Sequence, residues 1–255
     1  MSNDNILEVV HVRKTFGGIV ALDDVVMNVK RGTMTALIGP NGSGKTTLFN
    51  VIAGVYKPDR GKVIFDGHDI TGKPPEKIYH LGLVRTFQIP KMFKGMTVYE
   101  NVLTAARNNP GEKFSVSLVR QLWKDKEKNI AKKAVETMKL LKIFHVARNP
   151  SSAISGGQMK LVEIARGLMS NPKMLLLDEP AAGVNPTLAH EIFQFLRSLR
   201  DEANMSMLII EHRLDILFDY VDYVYVMHRG KIVAEGTPKE VAENPVVIEI
   251  YLGEA

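Results

Sequence analysis

Apolar and polar positions alternate in short bursts over the first seventy residues, in ILEVVHVRKTF and again in GKVIFDGHDI, with glycine-containing turns between them. Period-two alternation bounded by turn residues predicts antiparallel strands. Between the bursts the pattern changes. In MTALIGPNGSGKTTLFNVIAG an apolar run enters a glycine-rich turn, then Leu48, Val51 and Ile52 recur at helical spacing, which predicts strand, loop and helix in that order. From about 90 to 170 the chain becomes helical and charged, with Ile130, Ala134, Met138 and Leu141 spaced by three or four among lysines and glutamates. The strand KMLLLDEP, a helix over PTLAHEIFQFLRSLR, the strand MSMLIIEH and a hairpin over YVYVMHRGKIVAEG then restore an alternation of strand and helix. That alternation is the mark of a parallel sheet covered by helices. The expected fold is therefore α/β: one domain over 1–255, with an N-terminal antiparallel β subdomain and a core over about 1–90 and 171–255. A helical subdomain over about 91–170 is inserted into it. No internal repeat or low-complexity tract interrupts the pattern.

Length agrees with this reading, since 255 residues suit a single large domain with an inserted lobe. A chain of that size hides roughly three quarters of its extended surface on folding and needs no staples. It has no cysteine, which excludes disulfides, thiolate metal sites and cysteine nucleophiles and is compatible with a reducing cytoplasm. The start, MSNDNILEVV, lacks a basic-then-apolar run, so no secretory signal is expected. Apolar runs such as MLLL and MLII fall far short of the roughly 18 residues a membrane helix needs. The formal charge of +5 suits phosphate ligands or an acidic surface. The lysine-rich run KDKEKNIAKK fits a solvated helix face better than a nucleic-acid contact, and no nucleic-acid partner is expected.

The chemistry begins at GPNGSGKTT, Gly39 to Thr47, which contains the complete spacing of glycine, four residues, glycine, lysine, threonine. Gly39, Gly42 and Gly44 let the backbone turn its N–H groups inward around phosphate oxygens, with Pro40, Asn41, Ser43 and Thr47 completing the candidate ATP-binding stretch. The helix that follows adds a favourable dipole. Lys45 brings a positive charge to the β- and γ-phosphates, and the Thr46 hydroxyl suits the shell of a magnesium ion that keeps several waters.

A second element lies downstream. Four apolar residues, Met174 to Leu177, deliver Asp178 and Glu179 at the C-terminal end of a strand, where open sheets bind ligands. Adjacent strand residues point to opposite sides, so the two acids can divide their work. Asp178 is the candidate magnesium ligand, and Glu179 the candidate base for the water that attacks the γ-phosphate. Between the loop and the acid pair, SAISGGQMK raises its own question, because Ser155 is a preferred helix cap and the glycines after it permit close approach. A helix over SGGQMKLVEIARGLM, with Val162, Ala165, Leu168 and Met169 on its apolar face, begins in a second anion-binding tip.

The phosphate loop, the acid pair and ISGGQ at 154–158, taken together, resemble the nucleotide-binding subunit of ATP-binding cassette (ABC) transporters over essentially the whole chain. That resemblance implies a P-loop NTPase core of the RecA-like type and ATP hydrolysis coupled to transport. It assigns Phe16 in KTFGG to adenine stacking, and Gln88 in RTFQIP to magnesium contact and movement toward the membrane partner. It assigns His212 after MSMLIIEH to γ-phosphate contact, with Glu179, His212 and Lys45 as catalytic residues. It implies Thr46, Gln88 and Asp178 as the metal set and ATP and Mg2+ as the cofactors. The resemblance further implies that Ser155, Gly156, Gly157 and Gln158 close on the γ-phosphate held by a partner's phosphate loop, so that two chains sandwich two ATP molecules head to tail.

Within that family the resemblance is greatest to ATPases serving branched-chain amino acid importers. It is carried by VRTFQIPKMFKGMTVYENVL, the extra stretch from about 107 to 128 and the tail VVIEIYLGEA. Where many members carry Ser-Ala-Leu-Asp, this chain has AAGVNP, with neutral Asn185 in the acid's place. Subgroups that import urea or other amides, or export lipopolysaccharide, share parts of the pattern. The implied partners are a second ATPase subunit, identical or not, transmembrane permease subunits and, indirectly, a substrate-binding protein. The implied location is peripheral, on the cytoplasmic face of the inner membrane. Two other classes are weighed against this one. A soluble cassette protein of DNA repair or ribosomes usually has a coiled-coil insertion or two cassettes, and a phosphate-loop kinase needs no ISGGQ.

Overall fold

The computed structural model describes residues 4–86, 92–107, 121 and 123–252. These divide into two compact units, one drawn from 1–85, 173–182 and 189–255, the other from 86–172 and 183–188.

The first unit holds two sheets. One is antiparallel and is built from β1 (Asn5–Phe16), β2 (Ile19–Lys30), β4 (Arg60–Phe65) and β5 (His68–Asp69), in the order β2–β1–β4–β5. The other has six strands: β3 (Met34–Ile38), β6 (Leu83–Arg85), β7 (Met174–Asp178), β8 (Ser206–Ile210), β9 (Tyr223–His228) and β10 (Lys231–Gly236). Their order is β10–β9–β3–β8–β7–β6. Five of these strands run parallel and β10 pairs antiparallel with β9. The central strands β3, β7 and β8 are buried at every position, which is why they read as continuous apolar runs rather than as alternation.

The helix Lys45–Ile52 joins the two sheets energetically. Its Leu48, Phe49 and Ile52 share one core with Leu7, Val9 and Phe65 of the antiparallel sheet and with Leu37, Leu176 and Leu208 of the parallel one. Each such side chain, fully withdrawn from water, contributes about 1.5–3 kcal/mol. Register then decides where the chemistry lies. Leu37 of β3 and Asp178 of β7 both pair with Ile210 of β8, so three parallel strands end on one row. The loop after β3, the acid pair that ends and follows β7 and the histidine after β8 leave the sheet at the same edge.

The second unit is helical. Val98–Leu103, Lys124–Leu140 and Gly156–Met169 pack on one another, with short 3-10 turns at Phe144–Val146 and Ser151–Ala153. Ala134, Met138 and Leu141 are buried and Ile130 half-buried, as their spacing predicts. The unit also takes in 183–188, between β7 and the body of the helix Pro186–Ala203.

Candidate functional site

The phosphate loop owes its shape to glycine at two positions above all. Gly39 has φ 144°, and a Cβ there would lie 2.0 Å from the Met227 carbonyl oxygen; Gly44 has φ 110°, and a Cβ would lie 2.6 Å from that of Ala21. The loop is thus pressed against the backbone of β9 and of β2, and the Gly230 N–H donates to the Ser43 carbonyl at 2.8 Å. Gly39→Ala is expected to destabilise the chain by about 2–4 kcal/mol, because the Met227 carbonyl has to move for the Cβ to fit. Denaturant titration measures this, and an unchanged midpoint would refute the account.

Inside the loop, Lys45 is buried and its Nζ donates to the carbonyls of Gly39 and Pro40, both at 2.7 Å. The ammonium is thereby held among loop oxygens, from which it can be transferred to phosphate oxygens in bonds of the charge-assisted type. Gly44 is the N-cap of the helix and supplies no side-chain cap, which leaves the first-turn N–H groups facing the loop. Thr46 is exposed, Thr47 half-buried and Asn41 exposed, so the hydroxyl and amide groups lie on the accessible side of the cradle.

Phe16, at the end of β1, is 41% exposed and presents a ring with one edge contact, Tyr56 at 5.1 Å between centroids and 70° between planes. The Lys14 ammonium stands 5.3 Å from the Phe16 ring centre. Asp59 fixes this corner by accepting from Lys14 Nζ, the Thr15 hydroxyl and the Thr15 N–H, bonds that hold its carboxyl down at about 2. An exposed, braced aromatic face is suited to stacking on a base.

At the sheet edge, Asp178 is buried and paired with Arg85 of β6 at 2.8 Å. Arg85 also donates to Asn50 at 2.6 Å and covers the Phe49 ring at 5.7 Å. One guanidinium thus connects the acid of β7 to the helix that follows the phosphate loop. Glu179 is the next residue. Its φ of 50° lies in the left-handed region, its N–H donates to the Ile210 carbonyl at 2.9 Å, and its Oε1 is 3.2 Å from Nε2 of His212. The structure therefore brings Glu179 and His212 together. Sequence patterning had no signal for Arg85 or Tyr56, whose roles come from partners distant in the chain.

In the helical unit, Ser155 caps the helix Gly156–Met169 with a full capping box: its hydroxyl accepts from the Gln158 N–H at 3.2 Å and its own N–H donates to Gln158 Oε1 at 3.0 Å. The two glycines differ in what surrounds them. A Cβ on Gly157 would fall 2.3 Å from Leu188 Cδ2, whereas a Cβ on Gly156 meets no described atom within 4 Å. Gly157 serves packing inside the unit, and Gly156 leaves an open surface. Val162, Ala165, Leu168 and Met169 are buried. At the far end Lys133 Nζ donates to the carbonyls of Leu168 and Met169 at 2.7 and 3.2 Å, and burial lowers its pKa. This member of the lysine-rich run caps a helix C-terminus instead of facing solvent. Asn185 likewise acts locally, since its Oδ1 accepts the Leu188 N–H at 2.8 Å in the first turn of Pro186–Ala203. Gln88 lies outside the described residues.

A family profile described as "ABC transporter" matches residues 22–182, more than half of the chain, from within β2 to the turn after Glu179. The chain belongs to the ABC transporter family. A second profile of that family, described as "Branched-chain amino acid ATP-binding cassette transporter", matches 231–255. The chain is 49% identical over 253 residues, 98% of each chain, to a "Probable branched-chain amino acid transport ATP-binding protein LivG" of Methanocaldococcus jannaschii. It is 37% identical over 251 residues, again 98% of each, to the "High-affinity branched-chain amino acid transport ATP-binding protein BraF" of Pseudomonas aeruginosa. Among solved structures, an ATP-binding cassette of an ABC transporter in its ADP conformation superposes with a TM-score of 0.85 at 48% identity, covering 98% of this chain and 100% of the other. A nucleotide-free cassette superposes with a TM-score of 0.84 at the same identity, covering 97% and 98%. The P-loop fold and the ATPase activity expected from the sequence follow from membership in this ABC family.

Proposed function

We propose that this ABC protein is the ATP-hydrolysing, energy-coupling subunit of a membrane importer for branched-chain amino acids. The observation that carries the substrate class is the match of the C-terminal residues 231–255 to the branched-chain profile, joined to full-length similarity to proteins named for that transport. The substrate itself is met by other subunits. This chain supplies force.

In this reading Phe16 stacks on adenine, and the loop N–H groups with Lys45 hold the phosphates. Among the described residues no group of three or more His, Asp or Glu is arranged around a metal position. The candidate oxygens among the described residues are the exposed Thr46 hydroxyl and the Asp178 carboxylate; Gln88, the third candidate, lies outside them. That sparse set fits Mg2+, which keeps waters and takes its other oxygens from phosphates. Bound there, the ion would neutralise charge on the β- and γ-oxygens. Glu179, the residue after Asp178, accepts the proton of the attacking water. His212 orients that carboxylate and donates toward the γ-phosphate. Ser155 and Gly156 face the γ-phosphate held by a second ATPase subunit. An ATP bridging two subunits favours the closed pair by its differential affinity for that state, and hydrolysis removes the bridge.

No helix among the described residues is long and apolar enough to cross a membrane. In the proposed assembly the subunit sits peripherally on the cytoplasmic face of the inner membrane and works against transmembrane permeases that receive substrate from a binding protein. The segment around Gln88 and the helical unit form the contact. The test is co-purification with the membrane subunits, followed by ATP hydrolysis in vesicles with the binding protein. Leucine, isoleucine or valine is expected to raise hydrolysis several-fold and urea to leave it unchanged. Stimulation by urea alone would move the substrate class, and absence of any membrane partner would overturn the reading.

A further inference from the structure

Glu211 is a buried carboxylate that none of the recognised motifs accounts for. It follows β8 directly and is 2% exposed, a location acidic side chains occupy only when their oxygens are satisfied. Its Oε1 accepts the Ala181 N–H at 2.8 Å and its Oε2 accepts the His212 N–H at 2.9 Å. The Arg213 N–H also points at it. Burial pushes its carboxyl up, the charge of Glu179 acts in the same direction, and the three backbone N–H groups oppose them.

These bonds join two segments far apart in sequence. Ala181 lies two residues after Glu179 in the turn that leaves β7, and His212 heads the segment that leaves β8. Glu179 itself is held with φ of 50°, a conformation a glutamate keeps only when its surroundings over-determine it. The surroundings here are the Ile210 carbonyl, which accepts the Glu179 N–H, the Ala182 N–H, which donates to the Glu179 carbonyl at 3.2 Å, and Glu211. We propose that Glu211 is a positioning residue for ATP hydrolysis: its two carboxylate oxygens fix the turn bearing Glu179 against the segment bearing His212 and so set the spacing of that pair. The inference rests on the roles given to Glu179 and His212 above. It requires a carboxylate, because both partners are donors, and a glutamine amide turns an N–H toward one of them.

The test uses the full chain, with steady-state ATP hydrolysis measured beside equilibrium binding of a fluorescent ATP analogue. Glu211→Gln is expected to lower kcat by about 10-fold or more with nucleotide affinity kept within about two-fold, since a small displacement of reacting groups costs rate and not binding. In combination with His212→Ala the losses are expected not to multiply, because both changes act on one pair. Unchanged kcat, a parallel fall in affinity, or fully multiplicative losses would each overturn the proposal. If Glu211→Gln does not fold, Glu211→Asp, whose shorter carboxylate keeps both acceptors, is expected to show the same split at smaller size, and wild-type kcat in that variant would overturn it. Glu179→Gln serves as the reference. Normal hydrolysis by it removes the underlying reading, whereas an inactive Glu179→Gln beside a fully active Glu211→Gln removes this inference alone.

Discussion

Glu179→Gln lowers steady-state ATP hydrolysis by about 10²–10⁴-fold while ATP binding stays within about two-fold of wild type. The substitution keeps the size and the oxygen that faces His212 but removes the capacity to take a proton from water. Binding is expected to survive because the proposed phosphate contacts are the loop N–H groups, Lys45 and the start of the helix Lys45–Ile52, and the substitution changes none of them. Asp178, buried with its Arg85 partner, is left unchanged as well. With the reaction stopped and the nucleotide retained, ATP accumulates in the bridged state, so size-exclusion chromatography with ATP shows a dimer that ADP does not support. Wild-type turnover in this variant would remove Glu179 from the role of base.

Much of this site was legible before the structure because its chemistry is local in sequence. A phosphate cradle needs a strand, glycines and a helix within about twenty residues, and MTALIGPNGSGKTTLFNVIAG supplies them in one stretch. The acid pair after Met174–Leu177 is equally local, as is the Ser155 and Gln158 capping box. What patterning left out is everything closed through space. Arg85 joins Asp178 to Asn50 across 93 and 35 residues, and Glu211 reaches Ala181 across 30. Gly230 looks like an ordinary hairpin glycine until its N–H is seen holding the Ser43 carbonyl. The two signature glycines look equivalent in sequence, and only the position of Leu188 separates them. Asn185 departs from the acid of many family members, and its amide oxygen is spent on the Leu188 N–H of its own chain.

These through-space bonds give the sheet edge a consistent logic. Parallel register alone puts Leu37, Ile210 and Asp178 on one row, yet it leaves the residues after them free to splay. Arg85 ties Asp178 to Asn50 of the helix Lys45–Ile52, and Glu211 ties the turn after Glu179 to the segment that leaves β8. Arg85 and Glu211 thus give different partners to Asp178 and to the turn that follows Glu179. That difference is what neighbouring carboxylates with different roles require.

Gly156→Arg abolishes the ATP-dependent dimer, and with it nearly all hydrolysis, while the isolated chain folds and binds ATP as before. The substitution is chosen because the position is open. A Cβ on Gly156 meets no described atom within 4 Å, and its φ lies outside the left-handed region, so the monomer accepts a side chain without strain. The capping bonds of Ser155 remain, which keeps the helix start intact, whereas Ser155→Arg would also lose a cap worth about 1 kcal/mol. Gly157→Arg is the contrasting variant. Its Cβ would fall on a Leu188 methyl, so that side chain has to shift, and stability is expected to drop by about 1 kcal/mol while Gly156→Arg leaves it unchanged. A nucleotide-binding titration beside size-exclusion chromatography with ATP separates the cases. If the Gly156 tip is the surface that closes on the other subunit's γ-phosphate, a long cationic side chain there blocks closure by bulk, whatever attraction its charge adds. Retained dimer formation by Gly156→Arg would mean that the open tip faces away from every nucleotide. Loss of ATP binding by the monomer would mean that it serves its own chain's site.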